Sequence, residues 1–339
     1  MLPNHWYPLV FARTLRRALL PVRRGGLDLV LFRDEAGVAR CLLDRCPHRG
    51  VPLSLGKARA GRVICGYHGF EFDGAGRCVH MPCEGAGARI PKGMDTPSFL
   101  VREHDGFVWL FWGAPERADE VEIPALEGVD RRVGSWYEHG YEWAIPPHAA
   151  LENNFDVHHF NFVHASQRWL TRIGTRVGDA KIVQRPHGFQ LQVETLPGEY
   201  ARRSRTFTVE YRAPSLQAIR LGGRDTVAVY DVPIDATRTW RMIRLTQAVI
   251  TVPVLEKLAS WAFGVSAGWY AQMYEDGPFA LRVAPAGQDR PVRADLGITE
   301  LRRWWRNALR EAAGDPTLPA HVRTAMAWSS GADAATAVE

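Results

Sequence analysis

Apolar residues in the first third of this chain fall in short runs separated by turn-forming residues. The runs at 27–32 and 38–43 flank Asp34-Glu35-Ala36-Gly37, the pattern of a β-hairpin. Further runs at 62–64, 70–72, 99–102 and 107–112 are set off by glycine-containing turns such as Asp73-Gly74-Ala75-Gly76. Residues 1–115 are therefore expected to form a small all-β domain. An acidic stretch begins at Glu116, and 116–135 is read as a linker. A second domain is expected over 136–328: a helix over 149–165, strands at 181–195, 206–211, 227–232 and 241–251, then helices near 255–275 and 299–313. The tail 329–339 is small and polar and is expected to be disordered. The fold class is α+β, and no internal repeat is present.

Composition narrows the function classes. The 339 residues carry a formal charge of +5, but the basic side chains are dispersed. No Lys/Arg-rich run accompanies a nucleic-acid-binding motif, so an acidic protein partner is the better expectation. No run reaches the roughly 18–20 apolar residues of a membrane span; the most apolar stretch, 248–268, is interrupted by Pro253, Glu256 and Lys257. Five arginines and no acid in the first 26 residues invite a transit-peptide reading. The aromatic anchors of His5-Trp6-Tyr7-Pro8-Leu9 and the absence of serine argue instead for a folded domain start. A cytoplasmic location follows, with Cys41, Cys78 and Cys83 as thiols in a reducing compartment.

Candidate chemistry centres on Cys46-Pro-His48 and Cys65-Gly-Tyr-His68, separated by sixteen residues. Each arm offers one thiolate and one imidazole, and together they make the ligand set of a Rieske [2Fe-2S] centre, with sulfur on one iron and nitrogen on the other. Zinc pairs Cys with Cys before a later His pair, whereas both arms here are mixed. A Cys46–Cys65 disulfide would leave both histidines unexplained.

A second cluster lies in Glu152-Asn153-Asn154-Phe155-Asp156-Val157-His158-His159-Phe160-Asn161-Phe162-Val163-His164. At about 100° per residue, Asn153, Asp156, His159 and His164 share one helix face and His158 falls nearly opposite. Two imidazoles need a carboxylate from elsewhere to complete the facial triad of a non-haem Fe(II) site. Asp156, one turn before His159, is better placed to accept that ring's N–H. Tyr274-Glu275-Asp276-Gly277 offers the missing carboxylate, with Asp289 and Asp295 as rivals. A lone histidine pair more often packs in a core; the first cluster shifts that balance, because a one-electron carrier implies a second redox centre.

The chain resembles the Rieske non-haem iron oxygenases, specifically the catalytic α-subunits of the stand-alone O-demethylase type. The resemblance rests on 43–54 with Cys65-Gly66-Tyr67-His68-Gly69, on Glu152, Asn153, Asp156, His159 and His164, and on Glu275-Asp276 supported by Asp295-Leu296-Gly297-Ile298 and Arg302-Arg303. Gly66 and Phe70 depart from residues common at those positions, and 170–260 offers little to match. The resemblance implies cluster ligands Cys46, His48, Cys65 and His68, and mononuclear Fe(II) ligands His159, His164 and Asp276. It also implies a Rieske β-domain joined to a helix-grip catalytic domain, and a homotrimer in which Asp156 bridges His68 of one subunit to His159 of the next.

Electrons from NAD(P)H would arrive through a separate ferredoxin or flavin reductase. With O2 they would support hydroxylation or oxidative O- or N-demethylation of a small, largely apolar, ring-containing substrate. A Rieske electron-transfer protein with an appended binding domain and a desaturase of the same family are the alternatives. Trp261, Phe263, Trp269 and Tyr270 either line the substrate pocket or pack as core.

Overall fold

Short strands with turn-rich connections build the first part of the chain into three antiparallel sheets. The computed structural model describes residues 1–85, 87–125, 137–164, 176–197, 203–221, 225–246, 274–284 and 287–319, with single positions between 255 and 265 and at 322–323. The chain divides into two units, Pro3–Ile123 and Pro124–Glu339 with Met1–Leu2.

In the first unit, β1 (His5–Phe11) pairs with β11 (Phe107–Trp112), which pairs with β10 (Val101–His104). β11 is buried at every position, so its apolar run is continuous rather than alternating. The second sheet runs β2 (Leu20–Arg24), β3 (Leu27–Arg33), β4 (Ala39–Leu43), β9 (Ser98–Phe99). Its β3–β4 hairpin is the one read from sequence, closed where Asp34 Oδ1 accepts the Val38 N–H at 2.9 Å. The third runs β5 (Lys57–Arg59), β6 (Arg62–Ile64), β7 (Glu71–Phe72), β8 (Cys78–His80). An apolar cluster of Val30, Phe32, Leu42, Leu53, Val63 and Phe72 joins the last two sheets, and Cys46 and Cys65 are part of it. Residues 115–123 pack within this unit: Ala118 is buried and Trp6 Nε1 donates to the Val121 carbonyl at 3.0 Å.

The second unit is built on a seven-stranded antiparallel sheet. β13 (Arg176–Arg185), β14 (Gly188–Leu196), β15 (Arg205–Arg212), β16 (Leu216–Leu221), β17 (Asp225–Pro233) and β18 (Thr239–Thr246) form a meander, and β12 (Tyr137–Trp143) closes the far edge beside β18. α1 (Pro147–Asn153) packs on β17, and α4 (Leu296–Ala313) packs on β13. Two apolar clusters cover the helix side of the sheet. One gathers Phe155, Phe189, Leu191, Val209, Tyr211 and Leu301; the other gathers Tyr141, Trp143, Ala150, Val229, Ile243 and Ala280.

Several elements differ from the sequence reading. The 181–195 run is a hairpin that turns at Pro186 and His187, the latter at φ +58°; an alternating pattern on both sides of a two-residue turn reads as one strand. β16 shows no alternation because Leu216, Gln217, Ala218 and Ile219 are all buried. The helix expected over 149–165 is two, α1 and α2 (His159–Phe162). It breaks where Asn154 Nδ2 donates to Gln217 Oε1 at 2.7 Å and Asp156 Oδ1 accepts the His159 N–H at 3.2 Å, restarting the helix three residues on. Most of 255–275 and all of 329–339 lie outside the described residues.

Candidate metal centres

The first centre is a pair of matched loops. Gly50 N donates to Cys46 O and Cys46 N to Val51 O, both at 2.8 Å. Gly69 N donates to Cys65 O at 3.0 Å and Cys65 N to Phe70 O at 2.8 Å, the same two bonds in the second loop. Gly50 and Gly69 close these turns at φ +74° and +75°, which side chains with a Cβ rarely adopt. Both cysteines are 2% exposed, while His48 and His68 reach the surface with their Nδ1 atoms 3.0 Å apart. Burial, with the Cys65 thiol beside it, pushes the Cys46 thiol up to about 11. Two thiolates are thus costly here without a cation, and two ring nitrogens converge beside them, so the residues fit a [2Fe-2S] group ligated by Cys46, His48, Cys65 and His68.

The apposition of the loops depends on glycine. A Cβ on Gly56 would collide with the Ile64 carbonyl, and one on Gly66 would press on the Leu55 carbonyl. Both neighbours are backbone and cannot rotate away. Gly56→Ala is expected to destabilise the first unit by about 2 kcal/mol or more, read as a lowered melting temperature together with loss of visible cluster absorbance.

The second centre lies in the other unit. α2 carries His159, His164 follows its last turn, and Asp276 directly precedes α3 (Gly277–Ala280). Ligand atoms of the three lie within 4.8 Å of one another. Asp276 Oδ1 is 3.4 Å from His159 Nε2 and 3.2 Å from His164 Nε2, and the carboxylate is buried. Neither of its oxygens has a hydrogen-bond partner among the described residues.

The outer ring nitrogens fix the tautomers. His159 Nδ1 lies 2.5 Å from the Asp156 carbonyl, and His164 Nδ1 lies 2.9 Å from Glu275 Oε2. A proton on each Nδ1 leaves two Nε2 lone pairs facing a buried carboxylate, a repulsive arrangement that a divalent cation resolves. Without one, the ring protons must serve: burial opposes charge on His164, but Asp276 and Glu275 outweigh it and raise its pKa, whereas burial prevails at His159 and lowers it.

The carboxylate of Asp156 does not take the ring N–H expected of it, because the chain restarts its helix at His159 and brings the Asp156 carbonyl under that nitrogen. The carboxylate stands 4.0 Å away and its side chain is 41% exposed. Glu275, which the sequence offers only as the neighbour of Asp276, orients His164. Consecutive acids project in different directions, so one can meet the imidazole tips while the other reaches a ring's outer nitrogen. Glu275→Gln is expected to weaken metal binding at this centre by about 10- to 100-fold while leaving the first centre unchanged, measured by metal titration.

Supporting contacts hold the segment in place. Arg302 on α4 grips both Glu152 oxygens at 2.7 Å and Asp289 Oδ2 at 2.7 Å. His158 is not part of the cluster, and its buried Nε2 has no partner among the described residues. Trp261 is 62% exposed, which does not suit a pocket wall, and Phe263, Trp269 and Tyr270 lie outside the described residues.

Residues 5–100 match the Rieske [2Fe-2S] domain. The dicamba O-demethylase oxygenase component of Stenotrophomonas maltophilia is 38% identical over 167 residues, covering 48% of this chain and 47% of that protein. The vanillate O-demethylase oxygenase subunit of Pseudomonas sp. (strain HR199 / DSM 7063) is 30% identical over 226 residues, 67% of this chain and 58% of that protein. The chain thus spans about half the length of these curated relatives. The crystal structure of dicamba monooxygenase bound to 3,6-dichlorosalicylic acid superimposes with a TM-score of 0.75 at 22% identity, covering 93% of this chain and 99% of that one. The chain carries a Rieske [2Fe-2S] domain and is a homologue of Rieske-type oxygenase components, whose α+β fold it shares. No described helix is long and apolar enough to cross a membrane.

Proposed function

We propose that this protein is the oxygenase component of a multi-protein system that hydroxylates, or oxidatively O- or N-demethylates, a small ring-containing substrate. The observation that carries this reading is the buried carboxylate of Asp276, without a donor among the described residues and facing two imidazole Nε2 atoms. An electron carrier with an appended binding domain has no use for such a cluster. A [2Fe-2S] group at the first centre would supply single electrons, and Fe(II) at the second would supply O2 activation.

The chain's own residues perform the positioning. Cys46 and Cys65 anchor one side of the first centre in the core, while His48 and His68 present the other to the surface. Glu275 and the Asp156 carbonyl hold protons on the two Nδ1 atoms and keep both Nε2 lone pairs aimed at one point. Phe160, stacked on His159 and edge-on to Phe207, puts apolar surface beside that point and limits water there.

Support for an aromatic ether or amine as substrate comes from the relatives named for dicamba and vanillate. The exposed carboxylate of Asp156 suits a bridge from His159 to His68 of a neighbouring subunit in a homotrimer. Electrons would come from NAD(P)H through a separate ferredoxin or flavin reductase, and the free cysteines suit a reducing cytoplasm.

The test supplies a surrogate ferredoxin, its reductase and NADH, then screens methoxy- and N-methyl-aromatic compounds. Compound-dependent O2 uptake with a demethylated or hydroxylated product by mass analysis is expected. Reduction and reoxidation of the protein that no compound stimulates, with no product, would favour the electron carrier.

A further inference from the structure

The positive charge of the chain gathers around the first centre. Residues 45–95 hold eight Lys/Arg against four Asp/Glu, a net of +4 out of +5, which leaves +1 to the other 288 residues. The cations are too widely spaced to form a run in sequence, and the ligand loops and third sheet collect them. Most of the acids among them are matched. Glu71 holds Arg62 at 2.9 Å and His80 at 3.2 Å, Asp73 holds Arg77 at 2.8 Å, and Asp95 Oδ1 accepts the Cys78 N–H at 2.9 Å. Arg45, Arg49, Lys57 and Arg59 are exposed and have no ion-pair or hydrogen-bond partner among the described residues; Glu84 is the acid left in the same state.

These four cations border the edge where the ligands reach the surface. Arg45 and Arg49 flank Cys46 and His48, and the Arg45 guanidinium packs over Gly50, where a Cβ would stand 3.4 Å from its Nε. Lys57 pairs with Ile64, one residue before Cys65, and Gly56 packs backbone to backbone on Gly66, one residue after it. Arg59 extends the same hairpin and stands directly opposite Arg62. Like charges at opposed strand positions destabilise a hairpin, and Glu71 offsets Arg62 alone. The fold gains nothing from Arg59 there, whereas an anionic partner would. The rest of the chain, at a net +1, has no net negative charge to set against this collar. A collar placed around an electron-transfer group, rather than along a groove, suits an acidic redox protein better than nucleic acid.

We propose that Arg45, Arg49, Lys57 and Arg59 form the landing surface for an acidic one-electron donor protein. This rests on the reading that electrons reach the first centre from a separate protein, and it names where that protein docks. One electron leaves the reduced donor and one enters the oxidised cluster, with no bond made or broken. Opposite fields speed encounter and are screened by salt, so the collar acts on association.

The experiment uses the full chain with its cluster oxidised, under anaerobic conditions, and a pre-reduced, strongly acidic [2Fe-2S] ferredoxin as the probe. Stopped-flow absorbance gives the second-order rate of cluster reduction, calorimetry gives the affinity for the oxidised probe, and dithionite reduces each variant independently. In the wild type, rate and affinity are expected to fall about tenfold or more between about 0.02 M and about 0.5 M salt. Lys57→Glu/Arg59→Glu should lose about tenfold at low salt and most of the salt dependence, while Arg310→Glu on α4 stays within about twofold of the wild type. Arg59→Glu alone separates docking from structure. Facing Arg62, it should keep or raise the melting temperature yet slow the ferredoxin reaction by about threefold; a residue serving the fold alone would do the reverse. If the double variant fails to take up its cluster, Arg59→Glu decides. Wild-type rates and salt dependence in the charge-reversed variants overturn the inference, as does a wild-type ferredoxin rate that salt does not lower. Retention on duplex DNA that the double variant loses, with its ferredoxin rate unchanged, also overturns it and makes nucleic acid the partner. Absence of transfer from the ferredoxin at low salt overturns it while the dithionite-reduced cluster still stands; a wild-type chain that dithionite cannot reduce removes the reading of the first centre itself.

Discussion

Asp276→Ala is expected to lower iron content from about three to about two per chain and to reduce turnover to background, with the visible spectrum of the cluster unchanged. The carboxylate is buried and donor-less, and it is the sole acid brought within reach of both Nε2 atoms among the described residues. Alanine leaves two neutral imidazoles, too few ligands to hold Fe(II) against solvent. His158→Ala is the matched control and should retain its iron. Iron analysis beside the cluster absorbance reads both effects; full iron occupancy in Asp276→Ala would move the third ligand to another residue.

The second large effect is expected from Asp156→Asn. Asparagine keeps the size of the side chain and leaves the backbone carbonyl that holds His159 Nδ1 in place. Both metal centres should therefore remain filled. Product formation should nevertheless fall to a small fraction of the wild type, because the exposed charge proposed to meet His68 of a neighbouring subunit is gone. Rapid mixing of pre-reduced enzyme with O2 and substrate follows cluster oxidation directly. Wild-type oxidation rates in the iron-replete variant would remove the proposed bridging role.

Much of the first unit was legible because its signals are local. A two-residue spacing within Cys46-Pro-His48 and a three-residue spacing within Cys65-Gly-Tyr-His68 specify one loop each, and the Asp34–Gly37 turn specifies its hairpin. The strands β1, β2, β5 and β8 escaped notice there; in β1, Pro8 and continuous burial hide the alternation of a strand. The second unit was less legible because its decisive contacts are distant in sequence. The wheel placed His159 and His164 on one face of an unbroken helix, yet α1 ends at Asn153 because Asn154 is drawn to Gln217, 63 residues away. The two histidines still converge, through α2 and the turn after it. Glu275 meets His164 across 111 residues, and Arg302 meets Glu152 across 150. No periodicity encodes such pairs; only the folded sheet brings them together. The role of Asp156 split for a related reason, since a helix restart exchanges the work of its carbonyl and its carboxylate.

One chain is proposed to hold both an electron-transfer cluster and a separate mononuclear iron site. Quantifying iron and acid-labile sulfide per chain in anaerobically purified protein, before and after mild chelation, tests it without knowledge of the substrate. Three irons and two sulfides, falling to two and two on chelation with the cluster spectrum intact, is the predicted result. Two irons and two sulfides before chelation, in protein reconstituted with excess Fe(II), would contradict it.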